Sequence, residues 1–467
     1  MKNSLNSSKI RPLLILILLL IQASLLVQLT SVMPVYHPVD ELYHYDYIIK
    51  LKENGGFFAT RKKIHPSIIE SVEKYSYDSI SYGAVPTIKE EDYKPDLNNV
   101  TDNVQIIQHP PLYYYFMTFF ISLKFAPLNH IINVHILRIA GLILFLISGY
   151  LWASGLSRLL KMKGLFLFIL FMIWTWTPTD FFRVSNDMGL FFVSGLTIFV
   201  FSHAYKQEDI TKTGYSFLLG ICLSACIWTK FNLIYLLLPF LVIYRILQHF
   251  QYRRSIKKSS GKSILLHTTR CVFTDPALII PGVSLILLKI LFKFEIYEPP
   301  MRSDRLCFVS FWHSYSKLIF GETMWHGRFS GLDIPDLYPK ILLGFFGVGA
   351  MAVLFIKGKS QGAVLEDKKT DECNLSARTG GLLVLGMATW MIFVQCMLIM
   401  FIPWFCQGRY LIPAVPVSIA VTIAGFRRIG SRIPRVHQDL LPVIITVTWI
   451  SINISHLYKY LVLMSGT

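Results

Sequence analysis

Residues 135–156 read HILRIAGLILFLISGYLWASGL, and this stretch decides what kind of protein the chain is. Arg138 is its one Lys, Arg, Asp or Glu residue, and the basic segment 157–163, SRLLKMK, follows directly. A run of about 20 apolar residues is long enough to cross a bilayer as a helix. The sequence therefore predicts a membrane-spanning helix with Arg138 near one end and a basic cluster at the other.

The rest of the chain is built in the same way. Of its 467 residues, 53% are hydrophobic and 16% are charged, whereas a soluble domain carries roughly 25% charged residues. This composition predicts an all-α integral membrane protein with one polytopic membrane domain over residues 1–467. The candidate spans, read from the apolar runs, are 12–32, 135–156, 164–181, 188–204, 214–229, 231–245, 276–293, 340–356, 380–402, 410–426 and 440–459.

Segment 111–127 decides the topology, because it is apolar enough to count as a further span. If it does not cross, the basic clusters share one side with the basic N-terminus, and if it crosses they all lie outside. Those clusters are Arg158 to Lys163, Arg245 to Lys262, Lys357 with Lys359, and Arg427 to Arg435. Since basic residues collect in cytoplasmic loops, we expect eleven spans, a cytoplasmic N-terminus and an outer C-terminus. Segment 111–127 then lies along the outer interface as an amphipathic helix.

This topology predicts two long segments outside the cytoplasm and one polar linker inside it. Outer loop one covers residues 33–134 and carries surface helices, and outer loop two covers residues 294–338. The cytoplasmic linker covers residues 357–379. The expected location is the plasma membrane of a prokaryote or the endoplasmic reticulum of a eukaryote.

The net charge of +17 follows from the same cytoplasmic clusters, so we expect no nucleic-acid partner. The seven cysteines show no paired zinc-ligand spacing. Cys222 and Cys226 lie in an apolar run, and we expect them to pack in the core. A disulfide between Cys307 and Cys406, both on the predicted outer side, stays open.

Ionisable side chains collect at the predicted outer ends of the spans, where charges are costly and usually functional. Acidic and basic groups occur there together, with aromatic residues among them. They are Asp40, Glu41 and His44 after the first span, His109 and Tyr113 in loop one, Arg138 in span two, Asp187 after span three, Lys230 after span five and Arg409 before span ten. Trp312 and His326 in loop two complete this group.

This mixture fits the transfer of a sugar from a lipid phosphate. Such a phosphate is already a good leaving group and needs cations that stabilise its charge. The acceptor hydroxyl needs one base, which a carboxylate supplies. Aromatic side chains form the groove for the sugar and the lipid, although interfacial anchoring explains each Lys, Arg or aromatic residue taken alone.

The ordered set of motifs resembles the GT-C superfamily of polytopic glycosyltransferases. The motifs are Asp40-Glu41 after span one, His109-Pro110-Pro111-Leu112-Tyr113 at the end of loop one, Arg138 in span two, Ser185-Asn186-Asp187, and Gln407-Gly408-Arg409-Tyr410. This superfamily, which uses polyprenyl-phosphate sugars, includes protein O-mannosyltransferases and lipid A aminoarabinose transferases. The last two motifs resemble a less characterised branch of it.

The resemblance implies an inverting transfer on the extracytoplasmic side. Asp40 matches the catalytic base, Glu41 its neighbour, and Asp187 a second outer carboxylate of the site. Donor phosphate contacts are expected from His109, Arg138, Lys230 and Arg409, and groove contacts from His44, Tyr113, Trp312 and His326. The acceptor, which is a lipid, a glycan or a protein, is left open.

Three points remain open at this stage. A divalent cation, Mg²⁺ or Mn²⁺, is a candidate cofactor because carboxylates at 40, 41 and 187 are able to share one. A transporter or flippase of lipid-linked saccharides is the alternative function, although we find no repeated halves in the sequence. A non-catalytic relative of the enzyme is the third interpretation.

Overall fold

A computed structural model describes most of the predicted spans and parts of outer loop one. The described residues are 41–55, 64–75, 109–122, 127–162, 164–176, 183–205, 213–230, 237–244, 246–247, 274–291, 337–356, 379–394, 412–434 and 437–465, with seven single positions between 20 and 35. All regular elements among them are helices, which confirms the all-α prediction for this part of the chain.

The first helices lie in the segments that were predicted to be outer loop one and the spans that follow it. They are α1 Glu41–Asn54, α2 Pro66–Tyr75, α3 Leu112–Met117, α4 Pro127–Leu160, α5 Leu165–Thr175, α6 Asn186–Tyr205 and α7 Thr213–Thr229. The later helices are α8 Pro276–Leu291, α9 Leu337–Phe355, α10 Thr379–Val394, α11 Ala414–Gly430 and α12 Leu440–Ser465. Among these helices, those from α5 to α12 begin within four residues of the start of a predicted span.

Helix α4 is the one helix among the described residues that is both long enough and apolar enough to cross a membrane. Six other described helices or helix segments are apolar but shorter, with 10–17 residues each. One side of α4 leaves large apolar side chains exposed, at Leu128, Ile132, Ile136, Ile139, Ile143 and Ile147. Its opposite side buries Arg138 and Trp152 against neighbouring helices.

Helix α4 starts eight residues before the predicted span 135–156. Pro127 suits the first turn of a helix, where its missing N–H is not needed. The first two turns contain the buried residues His130 and Asn133. Because these side chains are polar, the hydropathy pattern did not include the two turns in the predicted span. At 1.5 Å per residue the 34-residue helix is about 51 Å long, so it exceeds a hydrocarbon core of roughly 30 Å.

Helix α5 is shorter than the predicted span 164–181, because it ends at Thr175. Trp176 already has extended backbone angles, with φ −79° and ψ 111°. Pro178 follows two positions later, and the residue before a proline avoids the helical conformation. The end of the predicted span, residues 177–181, lies outside the described residues.

Segment 111–127 does not form a spanning helix in its described part. Residues 112–117 are α-helical and a short 3₁₀ helix covers Thr118–Phe120, after which Ile121 is extended. Nine helical residues are too few to cross a bilayer. Phe116, Phe119 and Phe120 are exposed, whereas Tyr113 and Tyr114 are buried.

Helix α1 differs from the surface helices predicted for loop one. Its residues from Glu41 to Leu51 are buried, with the sole exception of Tyr43. Burial on all sides requires its charges to find partners, and Asp46 and Lys50 form an ion pair one turn apart. Loop one therefore contributes a helix to the core.

Charged residues lie at two separate ends of the helices. Near one end, Arg138 of α4 contacts Glu41, while at the other end Arg158 of the same helix contacts His203 of α6. Arg427 of α11 forms an ion pair with Asp439, 2.7 Å between Nε and Oδ1. Arg428 donates to the carbonyls of Val353 and Ile356 at the end of α9, with distances of 2.6 and 3.3 Å.

The structure tests one of the two cysteine predictions. Cys222 and Cys226 are buried free thiols in α7, and Cys226 Sγ lies 3.2 Å from the hydroxyl of Thr197. This confirms that they pack in the core. Cys307 and Cys406 lie outside the described residues.

Candidate functional site

The buried pair of Glu41 and Arg138 joins four parts of the chain. Arg138 donates from Nε to Oε1 at 2.9 Å and from Nη2 to Oε2 at 2.6 Å, and both side chains are fully buried. Glu41 Oε1 also accepts the backbone N–H of Val184 at 2.8 Å. Arg138 Nη1 donates to the carbonyl of Thr30 at 3.2 Å. This pair therefore fixes the start of α1 against α4 and against the turn before α6.

A second buried ion pair connects that turn to the end of α7. The Lys230 ammonium, directly after α7, contacts Oδ1 of Asp187 in the first turn of α6. The Ser185 hydroxyl donates to Asp187 Oδ2 at 3.0 Å and accepts the Asp187 N–H at 3.2 Å. A carboxylate in the first helical turn is further stabilised by the helix dipole. These contacts hold the Asp187 carboxylate in one orientation.

Tyr113 lies within electrostatic range of Glu41 and Asp187, the carboxylates of the two ion pairs. A side chain at Gly189 would place its Cβ 2.6 Å from Cδ2 of the Tyr113 ring, so glycine makes room for this tyrosine. Burial raises the pKa of Tyr113, and the negative charges of Asp187 and Glu41 raise it further, against a hydrogen bond with the Ser185 backbone. The phenol therefore stays protonated at neutral pH, beside both carboxylates.

Two histidines and two tyrosines form the neighbouring wall of the site. His44 Nδ1 lies 2.7 Å from the Tyr114 hydroxyl, and the rings of His44 and His109 are 6.4 Å apart. The Tyr47 hydroxyl donates to the carbonyl of His109 at 3.3 Å. Burial raises the pKa of Tyr47, so it keeps the proton that it donates. Aromatic rings from α1 and α3 thus surround His109.

A hydrogen-bond chain behind this wall holds α1, α2 and α4 together. It runs from the Tyr45 hydroxyl to His130 Nδ1 at 2.8 Å, from His130 Nε2 to the Ser67 hydroxyl at 2.8 Å, and from that hydroxyl to His65 Nδ1 at 2.7 Å. It ends where His65 Nε2 lies 3.0 Å from the Glu53 carboxylate near the surface. We call it the loop-one hydrogen-bond chain.

The direction of this chain follows from the backbone N–H of Ser67, which donates to His65 Nδ1 at 3.3 Å. That nitrogen is therefore an acceptor, and the Ser67 hydroxyl also donates to it. The Ser67 oxygen then accepts from His130 Nε2, and His130 Nδ1 accepts from the Tyr45 hydroxyl, to which Asn133 donates at 3.3 Å. His130 is neutral in this arrangement, and His65 Nε2 carries the proton that faces Glu53.

The structure brings together seven of the eleven predicted site residues. They are Glu41, His44, His109, Tyr113, Arg138, Asp187 and Lys230. Asp40, Arg409, Trp312 and His326 lie outside the described residues. The seven come from loop one, α4, the turn before α6 and the end of α7.

The carboxylates of Glu41 and Asp187 do not fit the predicted sharing of a divalent cation. Each is already neutralised by a basic side chain and accepts a further hydrogen bond. Among the described residues no group of three or more His, Cys, Asp or Glu side chains is placed to hold a metal ion.

Several residues of this region were missed in the sequence. Tyr45, His130, Asn133 and Ser67 build the loop-one hydrogen-bond chain, and Gly189 seats Tyr113. The signal for two of them was present, because polar residues in the first turns of an apolar helix need partners. Their partners within the loop-one hydrogen-bond chain, Ser67 and Tyr45, lie more than 60 positions away, so only the fold reveals these contacts.

No protein-family model matches the sequence, and no curated protein and no solved structure matches the chain. The function is therefore argued from the residues of the site.

Proposed function

We propose that the chain is a polytopic membrane glycosyltransferase. It moves a sugar from a polyprenyl-phosphate donor to a lipid, glycan or protein acceptor on the extracytoplasmic or lumenal side. The observation that carries this proposal is the convergence of Glu41, Arg138, Asp187, Lys230 and Tyr113 at one end of the helices. Acids and cations from distant segments meet there in a buried layer.

The membrane part of the proposal is supported by the surface of α4 and by the distribution of charge. The exposed isoleucines of α4 form a stripe along the helix, as expected for contact with lipid. The cluster that contains Arg158, Arg427 and Arg428 lies at the opposite end from Arg138, as the positive-inside rule requires. Eleven spans with the site outside the cytoplasm fit both features.

In the proposed reaction, the Asp40 carboxylate takes the proton of the acceptor hydroxyl. The acceptor oxygen then forms a bond to the anomeric carbon as the bond from that carbon to the phosphate oxygen breaks. Polyprenyl phosphate leaves with the electron pair and the configuration at the anomeric carbon is inverted. Asp40 directly precedes Glu41 in the sequence, and Glu41 itself is fixed by Arg138 and Val184.

The contacts favour positioning roles for Glu41 and Arg138 in the proposed reaction. Both Glu41 oxygens are engaged by Arg138, and one also by Val184, so Glu41 is poorly placed to act as a base. Arg138 in turn is held by Glu41 and Thr30. Lys230 is a three-donor cation, so its pairing with Asp187 is compatible with a phosphate contact. His109 and Arg409 are the other proposed phosphate contacts.

The test is a screen of polyprenyl-phosphate sugars with the purified protein in vesicles. The proposal predicts release of polyprenyl phosphate together with a glycosylated acceptor, or slow hydrolysis when no acceptor is added. A flippase would move the lipid-linked sugar between leaflets and leave its phosphate bond intact. Movement without bond cleavage for every donor would contradict the proposal.

A further inference from the structure

Asn186, the first residue of α6, has a buried side-chain amide. Its side chain is 1% exposed, and its amide nitrogen has no hydrogen-bond partner in the part of the chain that the structure describes. The residues on both sides differ, because Ser185 and Asp187 bond to each other and Asp187 also pairs with Lys230. A buried N–H group with no partner among the described residues thus lies within the candidate site.

Such a donor is unusual and needs an explanation. Most buried polar groups in native proteins have a partner, and a buried donor without one costs the protein its desolvation energy. Asn133, which is buried to the same degree, shows the ordinary case. Its amide nitrogen donates to Ser122 and Tyr45, and its oxygen accepts the Ser122 N–H. A binding site is where an unpaired donor is useful, because the ligand supplies the acceptor.

We infer that the Asn186 amide donates a hydrogen bond to an oxygen of the lipid-linked sugar. This inference rests on the proposed function and names a specificity-determining contact of that site. The acceptor is a sugar hydroxyl or a phosphate oxygen, since both accept from a neutral amide. A site that hydrogen-bonds a hydroxyl of its substrate strongly rejects an analogue that lacks this hydroxyl, so a contact with the sugar makes Asn186 select among sugar donors, whereas a contact with the phosphate makes it bind all of them.

Two substitutions to leucine separate ligand binding from stability. Asn186→Leu removes the N–H groups of the amide and keeps the approximate shape of the side chain. Asn133→Leu is the matched control at an amide whose groups are hydrogen-bonded. Without ligand, Asn186→Leu is expected to keep or raise the melting temperature of the purified protein, whereas Asn133→Leu lowers it. Asn186→Leu is expected to raise the KM for the polyprenyl-phosphate sugar found by the screen at least tenfold.

Two ligands distinguish the sources of the acceptor oxygen. If Asn186→Leu also weakens inhibition by polyprenyl phosphate alone, the amide contacts the phosphate. If inhibition by polyprenyl phosphate is unchanged while the KM of the sugar-bearing donor rises, the amide contacts the sugar.

The inference is overturned if Asn186→Leu lowers the melting temperature as much as Asn133→Leu does. It is also overturned if the wild type transfers sugar and the variant keeps the wild-type KM. A wild type that transfers no sugar from any donor contradicts the proposed function and, with it, the ligand assigned here. The first two outcomes leave the proposed function intact.

Discussion

Glu41 and Arg138, which are 97 positions apart, form a fully buried ion pair with two hydrogen bonds of 2.9 and 2.6 Å. Glu41 is the second residue of the Asp40-Glu41 motif, and Arg138 lies in the helix that is long enough to span a membrane. The pair thus fixes Glu41, and with it the start of α1, against this helix.

Removing one partner of this pair is expected to cost more stability than removing both. Glu41→Leu and Arg138→Leu each leave a buried charge without its partner, which destabilises a protein by about 3–5 kcal/mol. The double variant leaves neither charge and is expected to recover most of that loss. Thermal unfolding in detergent measures all three variants, and Glu70→Gln, at an exposed position of α2, is the control. A double variant less stable than both single variants would contradict this account of the pair.

Gly189→Ala is expected to displace Tyr113 from the site. The new Cβ would meet the tyrosine ring at 2.6 Å, and overpacking of this kind typically costs about 1–3 kcal/mol. Transfer activity should fall because Tyr113 lies beside both carboxylates. Gly214→Ala is the matched control, since a Cβ there has no neighbour within 4 Å. Equal activity of the two alanine variants would show that Tyr113 does not depend on Gly189.

We expect Lys230 to bind two groups, the Asp187 carboxylate and the phosphate of the sugar donor. Lys230→Gln removes the positive charge and should raise the KM of the donor at least tenfold, which corresponds to about 1.4 kcal/mol. Lys230→Arg keeps the charge and should retain most of the affinity. Steady-state kinetics measures both variants. If Lys230→Gln changed stability but left KM unaltered, Lys230 would be a partner of Asp187 alone.

Tyr45→Phe is expected to loosen α2 from the rest of the protein. The change removes the hydroxyl that joins His130 and Asn133, and leaving their buried groups unpaired costs about 1–3 kcal/mol. Hydrogen exchange of residues 66–75 should become faster. Ser157→Ala, which removes a bond confined to α4, is the control. Unchanged exchange in Tyr45→Phe would show that the loop-one hydrogen-bond chain does not hold α2.

The sequence predicted the helices well where apolar residues dominate. The predicted span 188–204 corresponds to α6 at Asn186–Tyr205, and 340–356 corresponds to α9 at Leu337–Phe355. The prediction failed where polar residues are buried, as in the first turns of α4. His130 is buried there because distant residues of loop one bond to it, and a local hydropathy pattern contains no information on such partners.

The pairing of the candidate site residues could not be predicted from the sequence. The motifs identified Glu41, Arg138, Asp187 and Lys230, and in the structure Glu41 pairs with Arg138 and Asp187 pairs with Lys230. Their mutual pairing was not predicted, because the choice of partner depends on three-dimensional distance. Asn186 was part of a quoted motif, yet only its burial beside bonded neighbours distinguishes it.

The most direct test of the central claim is the single-turnover rate of sugar transfer by Asp40→Asn. The amide cannot accept the acceptor proton as the carboxylate does, and loss of a general base typically costs 10²–10⁴-fold in rate. We expect a loss in this range, with Glu70→Gln at the wild-type rate. Full turnover by Asp40→Asn would contradict the central assignment of Asp40 as the base of the transfer.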